Sequence, residues 1–238
     1  MALPTIADRV AHMRKTEVRN KLIKEGMEAG DLNQMAHMLH AFGAGERPNL
    51  DFDQKCSLAQ LAEQAGQDPV EVYVDRLIAS EGHEYFNLWM FGGNLENQWN
   101  YMKLPHVVPM LGDAGAHVGF FTDTDSPTVL LSELTRKQGV YTVEEAIHRI
   151  TGKSAEIIGL KQRGNLKEGW HADINVIDYD NLSTHHAEYV NDFPHGGGRF
   201  TVKSTGYDAT IVAGKVVVRN CEHTGDRPGE VIREFHRG

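Results

Sequence analysis

Cysteine is nearly absent: Cys56 and Cys221 are the only two in 238 residues. That excludes a disulfide-stapled scaffold, and a reducing compartment, the cytoplasm, is the simplest expectation. Long apolar runs are missing too. None approaches the roughly 20 residues that span a bilayer. The opening Met-Ala-Leu-Pro-Thr-Ile-Ala-Asp-Arg lacks the basic start and apolar core of a secretory signal, so no membrane partner is expected. Positive charge is scarce. The formal net charge is −9 and no Lys/Arg run occurs, which argues against nucleic acid as a partner. No internal repeat or low-complexity tract is present. What is there is ordinary globular composition, with 40% hydrophobic and 24% charged residues.

The first half reads as helix. Residues 5 to 29 are charged and amphipathic, with Gly30 as the stop. Ser57-Leu-Ala-Gln60 has capping-box form and opens a helix ending near Gly66. Asp68-Pro69-Val70-Glu71 combines an N-cap Asp, Pro at the first helical position and Glu at N3, for a helix to about Ser80. The pattern then changes. Tyr85 to Phe91 is a short apolar and aromatic run closed by Gly92-Gly93, which reads as a buried strand. Residues 94 to 102 fit a helix. His106 to Leu111 is a second strand-like run, although Pro109 cannot donate to a ladder. Helices are expected from Ser126-Pro127 to about Lys137, from the capping box Thr142-Val-Glu-Glu145 to about Ile150, and over 154 to 158. Strand, helix, strand, helix with short connections implies a parallel α/β unit. After Gly159, glycines punctuate short β runs at 173–178, 200–203, 209–213 and 215–218, the last two joined by a tight turn at Ala213-Gly214. This segment reads as a separate, mostly antiparallel β region. No glycine-rich phosphate loop follows the first strand, which weighs against a small flavodoxin-like domain.

The chemistry concentrates in Val107 to His117, where an apolar run ends in Gly112-Asp113 followed by Ala114, Gly115 and Ala116. Two readings are open on spacing alone. Gly-Asp pairs are common in turns and N-caps. In α/β barrels, carboxylates at strand C-termini instead face the active site, and small neighbours leave room for substrate or metal.

Further residues narrow the choice. Ala155-Glu-Ile-Ile-Gly-Leu160, Arg163-Gly164-Asn-Leu166, Gly169 and Ala172-Asp173-Ile-Asn-Val-Ile-Asp178 resemble the closing signature of the amidohydrolase superfamily. Ala209 to Lys215 is similar to its final hairpin. With Gly112 to His117 and Pro228-Gly229, the chain looks most like the N-acyl-D-amino-acid deacylase branch over most of residues 85 to 238. The resemblance implies an α/β plus β fold: the C-terminal part of a (β/α)8 barrel over 1–158, then a small β-sandwich-type domain over 159–238. Residues 85–91 would be strand seven and 106–111 strand eight. Asp113 would match the family's strand-eight aspartate, which lies beside a zinc-bound water, takes its proton and passes it to the leaving nitrogen. Asp113 is thus the implied catalytic residue and the implied zinc-site residue. His117 is a candidate substrate contact, with a structural role as the alternative. The implied substrate is an N-acyl amino acid or related amide.

Several parts of the family pattern are missing from the sequence. A whole barrel needs roughly 250 residues, but only about 110 precede Asp113. No His-x-His and no His-Glu-x-x-His occurs. His37 and His40 are three apart on an expected helix and could share a metal, although solvated helix histidines are commoner. His185, His186 and His195 fall in the β segment, where loop roles are the default. Deacylases of this branch often carry an arginine soon after the aspartate, yet here the first is Arg136. That puts a D-amino-acid product in doubt. The expectation is a partial enzyme holding one catalytic residue and little of the metal cage, inactive alone and associating with itself or with the missing barrel portion. The alternative is a non-catalytic binding or assembly module that reuses the closing segment.

Overall fold

The computed structural model describes residues 5–43, 47–48, 56–89, 95–109, 112, 115–119, 123–233 and 235. The chain divides into two compact units, residues 1–93 and 94–238.

The first unit contains α1 (Ile6–Met13), α2 (Thr16–Ala29), α3 (Asp31–Met35), β1 (Leu39–Ala41), α4 (Leu58–Ala65), α5 (Pro69–Ala79) and β2 (Phe86–Leu88). The expected helix over 5 to 29 is two helices, broken at Arg14 and Lys15 and stopped where Gly30 turns left-handed. Both expected caps form. The Ser57 hydroxyl accepts from the Gln60 amide and the Gln60 side chain accepts in return from Ser57. Asp68 accepts from the Val70 amide at 2.9 Å. The apolar faces so registered build two small cores. One is Ala36, Leu58, Ala62 and Val72, and the other is Ile23, Val70 and Val74. Arg19 staples α2 to α5, reaching Glu71 at 3.0 Å and Asp75 at 2.6 Å.

The run from Tyr85 departs from expectation. Its strand covers Phe86–Leu88, is half-buried, and pairs antiparallel with β1, Leu39 opposite Leu88. Met90 and Phe91 lie outside the described residues. His37 and His40 do not share a helix. His37 sits in the turn after α3, and His40 lies in β1, where it also bridges to Ser57.

The second unit begins with α6 (Leu95–Met102). After a 3-10 turn at Asp123–Asp125 come α7 (Ser126–Val129), α8 (Val143–Ile150) and α9 (Gly152–Ile158). α7 runs into a π-helical stretch, Leu130–Lys137, so the expected helix from Ser126 to Lys137 is present but wider in its second half. Two hydroxyls feed that widening: Ser132 donates to the Thr128 carbonyl and Thr135 to the Leu130 carbonyl, each at 2.8 Å. The strands are β3 (Ile174–Ile177), β4 (Ser183–Thr184), β5 (Glu188–Val190), β6 (Arg199–Thr201), β7 (Ser204–Thr205), β8 (Tyr207–Val212), β9 (Lys215–Arg219) and β10 (Glu222–His223). They form a four-stranded sheet of order β10-β9-β8-β3 and the two-stranded pairs β4-β7 and β5-β6. The tight turn is as expected. Ala213 and Gly214 take φ of 47° and 77°, the pair of positive values that a type I′ hairpin requires, and Val212 faces Lys215. The core gathers Leu130, Leu131, Leu134, Val140, Tyr141, Ala146 and Leu182.

The expected parallel α/β unit is not found among the described residues, where every strand pair is antiparallel. His106 to Pro109 is irregular chain rather than strand; Met110 and Leu111 fall outside the described residues. The physical reason lies in the backbone. Pro105 and Pro109 have no N–H to give. The carbonyls of Met102, Lys103, Leu104 and Val107 are all taken by the Arg149 guanidinium. Within 106–109, Val107 therefore has its carbonyl on Arg149 and its N–H on the Leu104 carbonyl, and Pro109 has no N–H, which leaves neither residue a donor for a ladder. No described helix is long and apolar enough to cross a membrane.

Candidate functional site

Asp113, the residue to which the sequence points, lies outside the described residues, as do Ala114 and Phe120 to Thr122. What is described is the frame on either side. Gly112 lies so close to the 3-10 turn that a Cβ built on it would stand 3.0 Å from the Asp123 carbonyl and 3.2 Å from the Ser126 hydroxyl. A side chain there would be tighter than nearly all real Cβ contacts and would need the Asp123 carbonyl or Ser126 to give way by a few tenths of an ångström. His117 is exposed and adopts a left-handed backbone, φ 49°. Its neighbour Val118 accepts a hydrogen bond from the Phe200 amide at 2.7 Å, which ties this loop to β6.

Asp125 closes the 3-10 turn with its carboxyl partly buried. It accepts a hydrogen bond from the buried Thr184 hydroxyl on β4. Burial pushes its pKa up, the Thr184 hydrogen bond opposes this, and the Asp123 charge adds to the rise. One helical turn further, buried Thr128 meets the Tyr207 hydroxyl at 2.8 Å and the Ser204 hydroxyl at 3.2 Å. Two separate groups of side-chain hydrogen bonds therefore fasten the start of α7, Asp125 to β4 and Thr128 to β7 and β8.

Two arginines complete the frame. Arg149 is buried on α8 and lies 4.9 Å from the centre of the Tyr141 ring. Arg136, the first arginine after Asp113, is committed elsewhere. Its guanidinium donates to the carbonyls of Tyr179, Asp180 and Leu182. With those donors spent on backbone, it is not placed as a clamp for a substrate carboxylate.

Sequence reasoning missed both Arg149 and Asp125. A signal for Arg149 existed: an arginine on the same face of an amphipathic helix as Ala146, the two buried positions of α8. Asp125 carried none, since its buried partner Thr184 is 59 positions away. His40 is buried against Trp89, ring centres 4.7 Å apart, and burial lowers its pKa. Its Nδ1 is 3.8 Å from the Cys56 sulfur. Among the described residues, no three His, Cys, Asp or Glu side chains come together as a metal site. The described residues therefore do not by themselves fit the zinc that the resemblance implies.

Comparison with known proteins places the chain. Residues 5–218 match the amidohydrolase family, and the chain belongs to that family. It is 36% identical over 106 residues to an N-acyl-D-aspartate deacylase of Alcaligenes xylosoxydans xylosoxydans, a match that covers 44% of this chain and 19% of that protein. An uncharacterized protein of Mycobacterium bovis is 29% identical over 182 residues, 71% of this chain and 29% of the relative. Among solved structures, the N-acyl-D-glutamate deacylase from Bordetella bronchiseptica, complexed with zinc and a phosphonate inhibitor, aligns with 93% of this chain and 47% of its own, at 21% identity and a TM-score of 0.46. The chain spans less than a third of the length of these curated relatives.

Proposed function

We propose that this chain supplies the proton-handling carboxylate of an amidohydrolase that cleaves the amide of an N-acyl amino acid or a related compound. The observation that carries the reading is the family match over 5–218, within which Asp113 closes the Gly112-Asp113 pair that resembles the family's strand-eight end. In this reading residues 1–158 are the last part of a (β/α)8 barrel and 159–238 the β domain that follows it. Asp113 removes a proton from the attacking water and returns it to the departing nitrogen, so the amine leaves neutral. The zinc ligands of the family are not assembled by the described residues, and the reading assigns them to polypeptide other than those residues. Substrate carboxylate recognition is assigned to a group other than Arg136.

Asp113→Asn tests the carboxylate. In a polypeptide that hydrolyses N-acyl amino acids, the substitution is expected to lower kcat on the order of a hundredfold or more with little change in KM. An unchanged kcat would remove Asp113 from the reaction. The isolated 238-residue chain is expected to release no amine from N-acetyl-amino acids with zinc added, and turnover there would overturn the division of labour.

One observation favours the alternative, a module built for assembly. β3 ends the four-stranded sheet and is paired on one side only among the described strands, with Val176 at 45% exposure. Open edges are templates for pairing with other chains. Sedimentation of the purified chain discriminates: a complex fits assembly, and a well-behaved monomer over a wide concentration range counts against it.

A further inference from the structure

We propose that Arg149 is a positioning residue for Asp113, fixing the turn from which the chain runs to that carboxylate. Its guanidinium donates to four carbonyls of one short segment: Met102 at 3.0 Å, Lys103 at 3.0 Å, Leu104 at 3.1 Å and Val107 at 2.7 Å. The Glu145 carboxylate, one turn back on α8, accepts the remaining hydrogen bonds at 2.9 and 3.1 Å. The Tyr141 hydroxyl donates to the same Met102 carbonyl at 2.7 Å while its ring lies beneath the cation.

A buried arginine is usually held by carboxylates. This one, only 7% exposed, spends most of its donors on main-chain acceptors. Met102 is the last residue of α6, and the other three acceptors lie beyond it in a stretch with no regular structure, where Pro105 and Pro109 interrupt the supply of N–H groups. The planar fork of a guanidinium can reach several carbonyls at fixed angles, which a lysine ammonium cannot. Further along the same segment, Gly112 is wedged against the Asp123 carbonyl and Ser126. The chain is therefore held at two described places before Asp113, first by Arg149 and then at the residue immediately preceding the carboxylate. The catalytic consequence rests on the reading of Asp113 given above; the hold on the turn does not.

The test is Arg149→Lys in the 238-residue chain, read by hydrogen–deuterium exchange. The amides of Lys103, Leu104 and Val107 are hydrogen-bonded within this turn or back to α6, so their protection reports it. Peptides covering 103–112 are expected to exchange at least tenfold faster, with β8 and β9 unchanged. Tyr141→Phe, which removes one of the two donors to Met102, is expected to give a smaller rise in the same peptides. No change over 103–112, or an equal rise in β8 and β9, would show that Arg149 merely contributes to the core and would overturn the proposal. In a polypeptide that hydrolyses amides, Arg149→Lys is expected to lower kcat while leaving KM in place. Hydrolysis that survives Asp113→Asn would sink the carboxylate reading and the catalytic consequence together, whereas unchanged exchange would sink the role of Arg149 alone.

Discussion

Asp125 carries its proton more tightly than an exposed aspartate does, because burial disfavours the charged form more than the Thr184 hydroxyl supports it. With the folded pKa above the unfolded one, the native state binds more protons, so ionisation of Asp125 weakens folding as pH rises through that window. Asparagine at this position still accepts from Thr184 and never ionises. Asp125→Asn is therefore expected to unfold at a higher temperature than the parent at neutral pH. The gain should fade toward about pH 3, below the ordinary aspartate pKa of about 3.9, where the parent carboxyl is mostly protonated in both states. Thermal melts at the two pH values decide it; a gain that is the same at both would contradict the argument. His40 works in the opposite sense. Burial lowers the pKa of its imidazole, so the unfolded state binds more protons and stability falls as pH drops through the ordinary histidine range.

The helices of the first unit owe their limits to local rules, and local changes should therefore break them. Ser57→Ala removes the hydroxyl half of the capping box of α4, leaving the Gln60 amide without its side-chain acceptor, while the backbone N–H at 57 can still donate to the Gln60 side chain. The expected loss is about 1 kcal/mol, measurable by urea unfolding, with no change in the other helices. The staple between α2 and α5 depends on charge. Arg19 holds the Asp75 carboxyl below its usual range, so its contribution is present at neutral pH and is lost as the solution is acidified through the carboxylate range. Arg19→Met should cost on the order of 1 kcal/mol at neutral pH and less in acid. A loss that is independent of pH would assign Arg19 a packing role instead.

At the scale of the whole molecule, the second unit is held by residues far apart in sequence. Leu182 is fully buried between the β segment and the helices, packing with Leu130, Leu131 and Tyr141. Leu182→Ala should remove about 2–5 kcal/mol, seen as a lower urea midpoint. The match to the amidohydrolase family runs over residues 5–218 and so takes in both units.

The sequence by itself determined the helix caps at Ser57, Asp68 and Thr142, the Ala213-Gly214 turn, the antiparallel character of the closing segment and the family. Each of these is written in neighbouring residues, or in a pattern of glycines and apolar positions that needs no distant partner. Only the tertiary structure decided the rest. The run at Phe86 pairs antiparallel with Leu39 to Ala41, because a strand's partner is not encoded in the strand. His106 to Pro109 is irregular because Pro109 withholds a donor and Arg149, more than 40 positions away, takes the Val107 carbonyl. Arg136 is bound to backbone for the same kind of reason. Whether a polar group is free to act depends on which acceptors the fold brings to it, and those come from distant parts of the chain.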